Sequence, residues 1–299
     1  MHFDITDLRL FVAVAETNNL TRGAERCHLS PASVSVRIKN TEENLGTKLF
    51  IRSSHGVTLT APGQAFVHHA KIVLAQLEHL RNDVQDYDRG IKGHLRFVAS
   101  ITAIAEYLPA ALGRFLSSHP DVSIDLKERP SSDVVRAVSE GSADLGIVAG
   151  PVRTENLEVK PYRSDRLVLV VPSQHELAGA RAIKFADTLA FDYVCLPEGT
   201  GLYAFLMQQV QDLGRTIKMR VQIGNFEACC RMIEEHVGIG IIPLSAASRL
   251  SKQMAVDIVD LSDDWAVRKL TLCARNFDLL PTFVKELVEV LTADSAEPA

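Results

Sequence analysis

The chain has 299 residues, enough for two domains that each bury a core. With 46% hydrophobic residues, 23% charged residues and a formal net charge of −5, it has a globular composition and is not a uniformly basic nucleic-acid binder. It contains neither a signal-peptide pattern nor an apolar run near the ~18 residues of a membrane span, and its five cysteines form no paired framework, so we expect a cytoplasmic protein without a membrane partner.

Residues 21–46 predict a short helix, a tight turn and a longer helix. Ser30 can cap the longer helix, Pro31 suits its first position, and Gly46 suits its end. Its predicted buried face consists of Val34, Ile38, Thr41 and Leu45. The outward residues are small, polar or cationic, which is typical of a helix that enters the major groove of DNA. An ordinary amphipathic helix with a solvated face has the same pattern.

The flanking segments favour the DNA-binding helix over an ordinary amphipathic helix. Upstream, DLRLFVAVAE predicts a first helix, and downstream KLFIRSSHGVTLT predicts two short strands that form a wing. The segments LRLFVAVAE, LTRGAERCHLS, SVRIKNTEENLGTKLFIR and GVTLTAPG, in this order, resemble the N-terminal winged helix-turn-helix of LysR-type transcriptional regulators. Length and layout are similar over nearly the whole chain. The resemblance implies a bacterial sequence-specific DNA-binding regulator, not an enzyme, that is usually tetrameric and binds a small-molecule effector in its C-terminal domain.

The predicted contacts with double-stranded DNA lie on the second helix and the wing. Residues 20–60 contain six Lys and Arg residues and three Glu residues, which gives a modest excess of positive charge. Because one such domain would bind phosphates weakly, this charge favours an oligomer whose DNA contacts add together. The predicted DNA-contacting residues are Thr21, Pro31, Ala32, Ser33, Ser35, Val36, Arg37, Lys39, Arg52 and His55. Many family members have Arg where this chain has Val36 and Leu where it has Thr41. The resemblance therefore implies how the protein binds DNA, but it does not imply which DNA sequence the protein recognises.

A long helix follows the wing. Thr60 and Pro62 can start it, and apolar residues then alternate at spacings of four and three, as in a coiled coil. The predicted seam consists of Phe66, Ala70, Val73, Leu77, Leu80 and Val84. A helix packed on its own domain is the alternative. The resemblance implies a homodimer through this helix and a homotetramer overall, with RNA polymerase as a candidate further partner.

Beyond residue 93, nine strand patterns alternate with helical stretches, which predicts α/β architecture with largely parallel sheets. The resemblance implies a periplasmic-binding-protein-like domain of two subdomains, with the effector between them. We expect a DNA-binding domain at 1–62, a linker helix at 63–90 and an effector domain at 91–299. Subdomain I would comprise 91–163 and 267–299, and subdomain II 164–266. The last helix, PTFVKELVEVL, would return to subdomain I.

Ligands of α/β sheets gather at the carboxyl ends of strands and at helix starts. Several such positions also match segments that line the effector cleft in the LysR family. Together, the rule and the resemblance predict that the effector contacts Ser100, Ile101, Thr102, Gly150, Thr200, Gly201, Asn225 and Phe226. Ser, Thr and Asn there can also serve only as caps or turn residues. Arg129 and Arg163 favour an anionic effector, whereas Glu198 and Glu227 favour an amine or a hydroxyl compound, so the effector class stays open.

Two alternatives stay open. Cys195 and the adjacent Cys229 and Cys230 allow a redox-responsive regulator of the same fold, although small buried residues are the simpler interpretation. The other alternative is an α/β binding protein or enzyme whose N-terminal helices only dimerise, and the Gly-x-Gly-x-x-Ala stretch at 199–204 is a weak dinucleotide-binding pattern. We expect no catalytic residues, no cofactor and no metal site.

Overall fold

The computed structural model describes residues 3–53, 56–87, 93–150, 152–154 and 156–293, with the backbone alone at 53, 79 and 82–87. The chain divides into two compact units, Met1–His94 with Glu140–Ser142, and Leu95–Ser139 with Ala143–Ala299. No helix in the described ranges is both long enough and apolar enough to cross a membrane.

The first unit consists of helices around a small core, plus a two-stranded wing. Its elements are α1 (Ile5–Thr17), α2 (Leu20–Arg26), α3 (Pro31–Leu45), β1 (Phe50–Ser53), β2 (Gly56–Leu59) and α4 (Ala61–Tyr87). Phe11 lies at the centre of the core, stacked on Phe50 of the wing and in contact with Phe66 of α4. The order helix, helix-turn-helix, wing and long helix agrees with the sequence prediction.

The second unit is an α/β domain. Its strands are β3 (Gly93–Ala99), β4 (Val122–Glu128), β5 (Leu145–Ala149), β6 (Glu158–Pro172), β7 (Ala182–Ile183), β8 (Asp192–Cys195), β9 (Lys218–Gln222), β10 (Gly240–Pro243), β11 (Val256–Leu261) and β12 (Val267–Ala274). Its α-helices are α5 (Leu108–Ser118), α6 (Ser131–Ser139), α7 (Phe185–Thr188), α8 (Gly201–Asp212), α9 (Phe226–Glu234), α10 (Leu244–Leu250) and α11 (Thr282–Ala293). A π-helical turn, Ala103–Tyr107, precedes α5, and a short 3-10 helix, Asp264–Ala266, precedes β12.

Hydrophobic clusters divide this unit into two subdomains, one packed around two clusters and the other around a single one. The first subdomain has a core with residues of β3, β5, β12, α5 and α11, and a smaller cluster with residues of β3, β5, β12 and α6. The core of the other subdomain contains residues of β6, β8, β10, α8, α9 and α10. Helix α11 packs into the first of these cores through Val284, Leu287, Val288 and Leu291. The strand order is β4-β3-β5-β12-β6-β11-β7, with β10 also paired to β6, and β8 and β9 form a separate pair.

The long strand β6 joins the two subdomains. Its first part pairs with β12, up to Arg166 opposite Val267, and its second part, from Leu167, pairs with β10 and β11. The prediction of largely parallel sheets is wrong for β6, which is antiparallel to β10, β11 and β12. Because β6 leads from one subdomain to the other and β12 returns, the two strands must run in opposite directions. The pairs β3–β5, β8–β9 and β7–β11 are parallel.

Candidate DNA-binding and effector-binding sites

The start of α3 is built as its sequence predicts. The Ser30 hydroxyl accepts a hydrogen bond from Ser33 N at 3.2 Å, and Pro31 occupies the first turn. Gly46 ends the helix with φ of 67°, a left-handed conformation that glycine adopts without strain. On the preceding helix, Asn19 caps α2 by accepting from Thr21 N and Arg22 N. These local contacts fix both helices and the turn between them.

The buried face of α3 differs from the prediction at its last turn. Val34, Ile38 and Thr41 are buried as expected, but Leu45 is 39% exposed, because it is the last residue of the helix and lies beyond the core. Glu42 is buried instead, with 6% exposure. The hydrophobic spacing alone does not reveal that a carboxylate takes this inward position.

Glu42 attaches the wing to α3. Its Oε1 accepts hydrogen bonds from Leu49 N at 2.9 Å and from Phe50 N at 3.2 Å, and its Oε2 lies 2.7 Å from Lys48 Nζ. Burial opposes the charge on Glu42, but these hydrogen bonds outweigh it and hold the pKa of Glu42 below its ordinary value. The start of β1 is therefore fixed against α3 by an ionised carboxylate.

A second contact attaches the wing to α1. Val57 N donates to Asn18 O at 3.0 Å, beside Gly56, whose φ is 125°. A Cβ on Gly56 would lie 2.6 Å from Asn18 O, so only glycine allows this approach. The two strands of the wing are thus placed by both α1 and α3.

Arg37 is held by carboxylates of the first helix. Its Nη1 donates to Asp7 Oδ1 at 2.7 Å and lies 3.4 Å from Asp4 Oδ1. Asp4 and Asp7 also form a capping box at the start of α1, in which the Asp7 backbone N–H helps to lower the pKa of Asp4. The guanidinium therefore links α3 to α1 and has fewer donors left for a phosphate.

The other predicted DNA-contacting residues lie on accessible surface. Val36 is 57% exposed, and the side chain of Lys39 is 68% exposed with a 3.6 Å ion pair to Glu43. The exposed members of the set also include Thr21, Pro31, Ala32 and Arg52, whereas Ser33 and Ser35 are partly buried. His55 lies outside the described residues.

Helix α4 changes its surroundings along its length. Near its start, Phe66 packs against the core of the first unit and Ala70 is 2% exposed. Further along, Val73 is 45% exposed and Leu80 is 62% exposed. The side chain of Val84 lies outside the described set. The apolar seam is thus packed on its own unit at one end and uncovered further along.

A cleft in the second unit combines residues of both subdomains. Its lining consists of Ser100, Ile101, Thr102, Glu128, Arg129, Ser131, Ala149, Gly201, Leu202, Phe205 and Arg268. The structure thus brings together the segment that follows β3, the starts of α6 and α8, and one residue of β12. A Cβ on Gly201 would lie 3.7 Å from Ser131 N, so the two helix starts face each other closely.

Hydrogen bonds fix one wall of this cleft. Ser131 Oγ accepts from Ala149 N at 2.9 Å and donates to Ala149 O at 3.1 Å, which attaches the start of α6 to the end of β5. Arg268 and Asp165 form a buried ion pair of 2.6 Å, with side-chain exposures of 5% and 1%. Ser131 and Arg268 were not among the predicted effector contacts. The position of Ser131 at a helix start was an available signal, whereas no local pattern indicates that Arg268 reaches this cleft.

Four predicted effector contacts do not line this cleft. Thr200 and Asn225 cap α8 and α9 by accepting from Tyr203 N and Ala228 N, so their side chains serve the local role that was the alternative. Phe226 is 3% exposed in the core of its subdomain, and Gly150 N donates to Lys269 O.

The charged candidates are distributed over several places. Arg129 lines the cleft, as an anionic effector would require. The Arg163 guanidinium lies over the Tyr107 ring, 5.4 Å from its centroid. Glu198 accepts from the Tyr203 hydroxyl at 3.3 Å, and Glu227 is exposed on α9.

Comparison with known proteins identifies the family. The family model for the bacterial regulatory helix-turn-helix protein of the lysR family matches residues 5–64, and the model for the LysR substrate binding domain matches residues 88–296. The chain belongs to the LysR family of transcriptional regulators. It is a DNA-binding transcriptional regulator with an effector-binding domain, and its family role is not enzymatic.

Individual relatives agree over nearly the full length. The HTH-type transcriptional regulator IlvY of Escherichia coli is 36% identical over 292 residues, which cover 96% of this chain and 98% of IlvY. Among solved structures, full-length CbnR in complex with its target DNA matches with a TM-score of 0.60 and 22% identity, covering 98% of this chain and 100% of CbnR. A full-length OxyR variant from Pseudomonas aeruginosa matches with a TM-score of 0.59 and 24% identity, covering 99% of this chain and 95% of that one. At these identities the two structures show the LysR-type fold alone.

Four of the five cysteines are placed unfavourably for redox sensing. Cys195, Cys229, Cys230 and Cys273 are all buried. Burial raises the pKa of Cys195 to about 12 and that of Cys230 to about 11. Because the thiolate is the reactive form, these thiols are poor nucleophiles near neutral pH. They act as small hydrophobic residues of the core.

Proposed function

We propose that this LysR-family regulator reads operator DNA with the outward face of α3 and holds the phosphate backbone with its wing. The observation that supports this proposal is the uncovered, uncharged start of α3, capped by Ser30 and flanked by the exposed Val36 and Lys39. A helix with these features fits the major groove, and Val36 offers a methyl contact to thymine. Thr21, Pro31, Ala32, Ser33 and Ser35 complete the proposed groove-facing set, and Arg52 and His55 are the proposed wing contacts.

Arg37 has a different proposed role. Its donors are partly occupied by Asp7 and Asp4, so it contributes mainly by fixing the angle of α3 on α1. Arg22 and Arg52 form no ion pair within the part of the chain that the structure describes, which leaves their guanidinium groups available for phosphates. We therefore assign the base contacts to α3, and the phosphate contacts to Arg22 on α2 and to Arg52 on the wing.

The effector binds, in this proposal, in the cleft between the two subdomains. Ser100, Ile101, Thr102 and Gly201 remain from the predicted set, joined by Ser131 and Arg268. The proposed domain limits stay at 1–62 for DNA binding, 63–90 for the linker helix and 91–299 for effector binding. Effector binding acts by a population shift, because a ligand favours whichever subdomain arrangement it binds more tightly.

The proposed assembly is a homodimer through α4, and a homotetramer through further contacts. Val73 and Leu80 are large, apolar and exposed on one helix, a pattern that indicates a partner surface. A second copy of the same helix fits, since the seam alternates spacings of four and three. We place the assembly in the cytoplasm, in contact with DNA and with RNA polymerase as a candidate partner.

A cleft-blocking substitution tests the effector site. Gly201→Trp adds a bulky ring where a Cβ has ordinary contacts to Pro130 and Ser131, and its backbone is not left-handed, so the chain should fold. Gly113→Trp is the matched control, because nothing lies within 4 Å of a Cβ at Gly113. In a thermal-shift screen of metabolites, we expect at least one compound to raise the Tm of wild type and of the control but not of Gly201→Trp. Compounds that stabilise all three proteins equally would place the effector elsewhere.

A further inference from the structure

The wing is too small to hold its own position. It consists of two four-residue strands, Phe50–Ser53 and Gly56–Leu59, which pair with each other in an antiparallel register. A two-stranded hairpin without further support is only marginally stable in water. The position of the wing therefore depends on the contacts that attach it to the helices.

Glu42 supplies the most directional of these contacts. Its Oε1 accepts hydrogen bonds from two successive backbone N–H groups, those of Leu49 and Phe50. Both bonds are buried, and Glu42 itself is 6% exposed, so water competes little for them. Because a hydrogen bond weakens steeply when it is bent, one oxygen shared by two consecutive donors restricts both the position and the rotation of β1 against α3.

Arg52 takes its direction from the same strand. It follows Phe50 by two positions, and alternate residues of a strand point to the same side. The Phe50 ring stacks on Phe11 in the core, with 5.3 Å between the ring centroids. Arg52 is exposed and forms no ion pair in the described ranges, so the attachment of β1 decides where its guanidinium lies.

A carboxylate close to DNA would ordinarily repel the phosphates, but Glu42 has a compensating cation. Lys48 Nζ lies 2.7 Å from its Oε2. Although burial opposes the charge, the hydrogen bonds from Lys48 and from the strand keep the pKa of Glu42 below its ordinary value. The pair is locally neutral, so Glu42 can hold the wing as a charged acceptor without adding a net negative charge.

We propose that Glu42 is a positioning residue for DNA binding, whose carboxylate holds β1 so that Arg52 meets the phosphate backbone in a preformed position. The inference rests on the proposed phosphate contact of Arg52 and adds the residue on which that contact depends. A loosened wing would have to be ordered on the DNA, at a cost in conformational entropy that the attached wing has already met on folding. Arg52 therefore contributes fully to DNA binding only while Glu42 reaches the two N–H groups.

The test separates the reach of Glu42 from its charge. Glu42→Asp keeps the charge but is shorter by one methylene, so its carboxylate cannot accept from both N–H groups while β1 stays in place. Glu42→Gln loses the charge but keeps the length and a carbonyl oxygen that accepts from the strand. Each substitution is combined with Arg52→Ala in the full-length chain. Fluorescence anisotropy at several salt concentrations measures the affinity for the DNA upstream of the protein's own gene.

The quantity compared is the contribution of Arg52 in each background. In wild type and in Glu42→Gln, removal of Arg52 should lower the log–log salt slope by about 0.9 and the affinity by about tenfold. In Glu42→Asp, removal of Arg52 should change both much less, because the contact is already lost. Glu43→Asp is the matched control, since Glu43 is exposed and pairs with Lys39 on the same helix, and it should leave the contribution of Arg52 intact.

A purely structural role of Glu42 gives a different result, because lower stability reduces the Tm without changing what Arg52 adds to binding. A full contribution of Arg52 in Glu42→Asp would overturn the inference and leave the phosphate contact of the wing in place. Glu42→Met lacks both oxygens at a similar length and provides the same comparison if Glu42→Asp does not fold. An unchanged slope after Arg52→Ala in the wild-type background would overturn both the phosphate contact and the inference.

Discussion

Arg37 and Arg52 are both cations of the DNA-binding unit, but their surroundings differ. Arg37 is bound by Asp7, whose side chain is 8% exposed, whereas Arg52 is exposed on β1 and forms no ion pair within the described ranges. A guanidinium that is free in solution releases counterions when it binds a phosphate, and one already paired contributes less. Removal of Arg52 should therefore affect mainly DNA binding, whereas removal of Arg37 should affect mainly the stability of the fold.

We expect Arg52→Ala to lower the salt dependence of DNA binding, by about 0.9 in the log–log slope for each phosphate that the protein no longer neutralises. Arg37→Ala should change the slope less but lower the free energy of unfolding by roughly 1–3 kcal/mol, because it leaves the buried Asp7 carboxylate without its cation and with only the hydrogen bond from Asp4 N. Fluorescence anisotropy at several salt concentrations measures the slope, and urea unfolding measures stability. Arg215→Ala, at an exposed arginine of the second unit, is the control. Equal slope changes in the two arginine variants would contradict this distinction.

Glu42 makes the stability of the DNA-binding unit depend on pH. Its pKa is lower in the folded chain than its ordinary value of about 4.5. The stabilisation is therefore fully present above that value and is lost as the pH falls through the lowered pKa of the folded state. Glu42→Gln should lower the unfolding free energy at pH 7, with the difference from wild type vanishing in acid. A difference that stays constant with pH would show that the charge of Glu42 does not stabilise the wing.

Residue roles were predictable where the partners are close in the sequence. Ser30, Pro31 and Gly46 act within one helical turn, and the structure confirms each of them. Arg37 pairs with Asp7 across 30 positions and Arg268 with Asp165 across 103, so no local pattern could reveal either contact. Charge partners depend on tertiary structure, whereas caps depend on the local chain.

At the scale of whole elements, helix α4 packs against its own unit at its start and exposes apolar side chains in its middle. Its start is covered by α1 and the wing, and Gly63 passes so close to the wing that a Cβ there would lie 2.0 Å from Leu49 O. Its middle carries the exposed Val73 and Leu80. Exposed apolar side chains in a coiled-coil spacing are stable when a second helix covers them.

We expect Leu80→Glu to weaken the dimer by placing a charge in the proposed seam. Leu80 is 62% exposed in one chain, so the substitution should not unfold it. Gln76→Glu adds the same charge at an exposed polar position of the same helix and is the matched control. Sedimentation velocity over a range of concentrations should show dissociation for Leu80→Glu alone. Unchanged association of Leu80→Glu would remove α4 from the interface.

The predicted elements match the structure best where periodicity is strong. All nine predicted strands are present, but the strand predicted for β6 was the segment RLVLVVP alone. Residues 158–165 were missed, because they are largely exposed and lack an apolar run. The short helix α10 was also missed, since it has only seven residues and begins directly after Pro243, the last residue of β10. Edge-exposed or very short elements are fixed by their neighbours more than by their own sequence.

At the scale of the whole molecule, two functions are carried by two separately packed units. The DNA-binding unit is fixed internally by Glu42, Asn18 and the Arg37–Asp7 pair. The effector unit has two separately packed subdomains that are joined by β6 and β12. The sequence predicted this division through its resemblance to the family, but it could not identify the ion pair on the crossing strands.

The most direct measurement of the central claim is the affinity of Val36→Glu for the DNA upstream of the protein's own gene. Val36 is 57% exposed on the proposed groove-facing side of α3, so a carboxylate there should repel the DNA without disturbing the core. Val159→Glu makes the same change at an exposed valine of the second unit. Measured by anisotropy at one salt concentration, affinity should fall at least about tenfold for Val36→Glu and stay unchanged for Val159→Glu. Equal affinity in wild type and Val36→Glu would show that this face of α3 does not contact DNA.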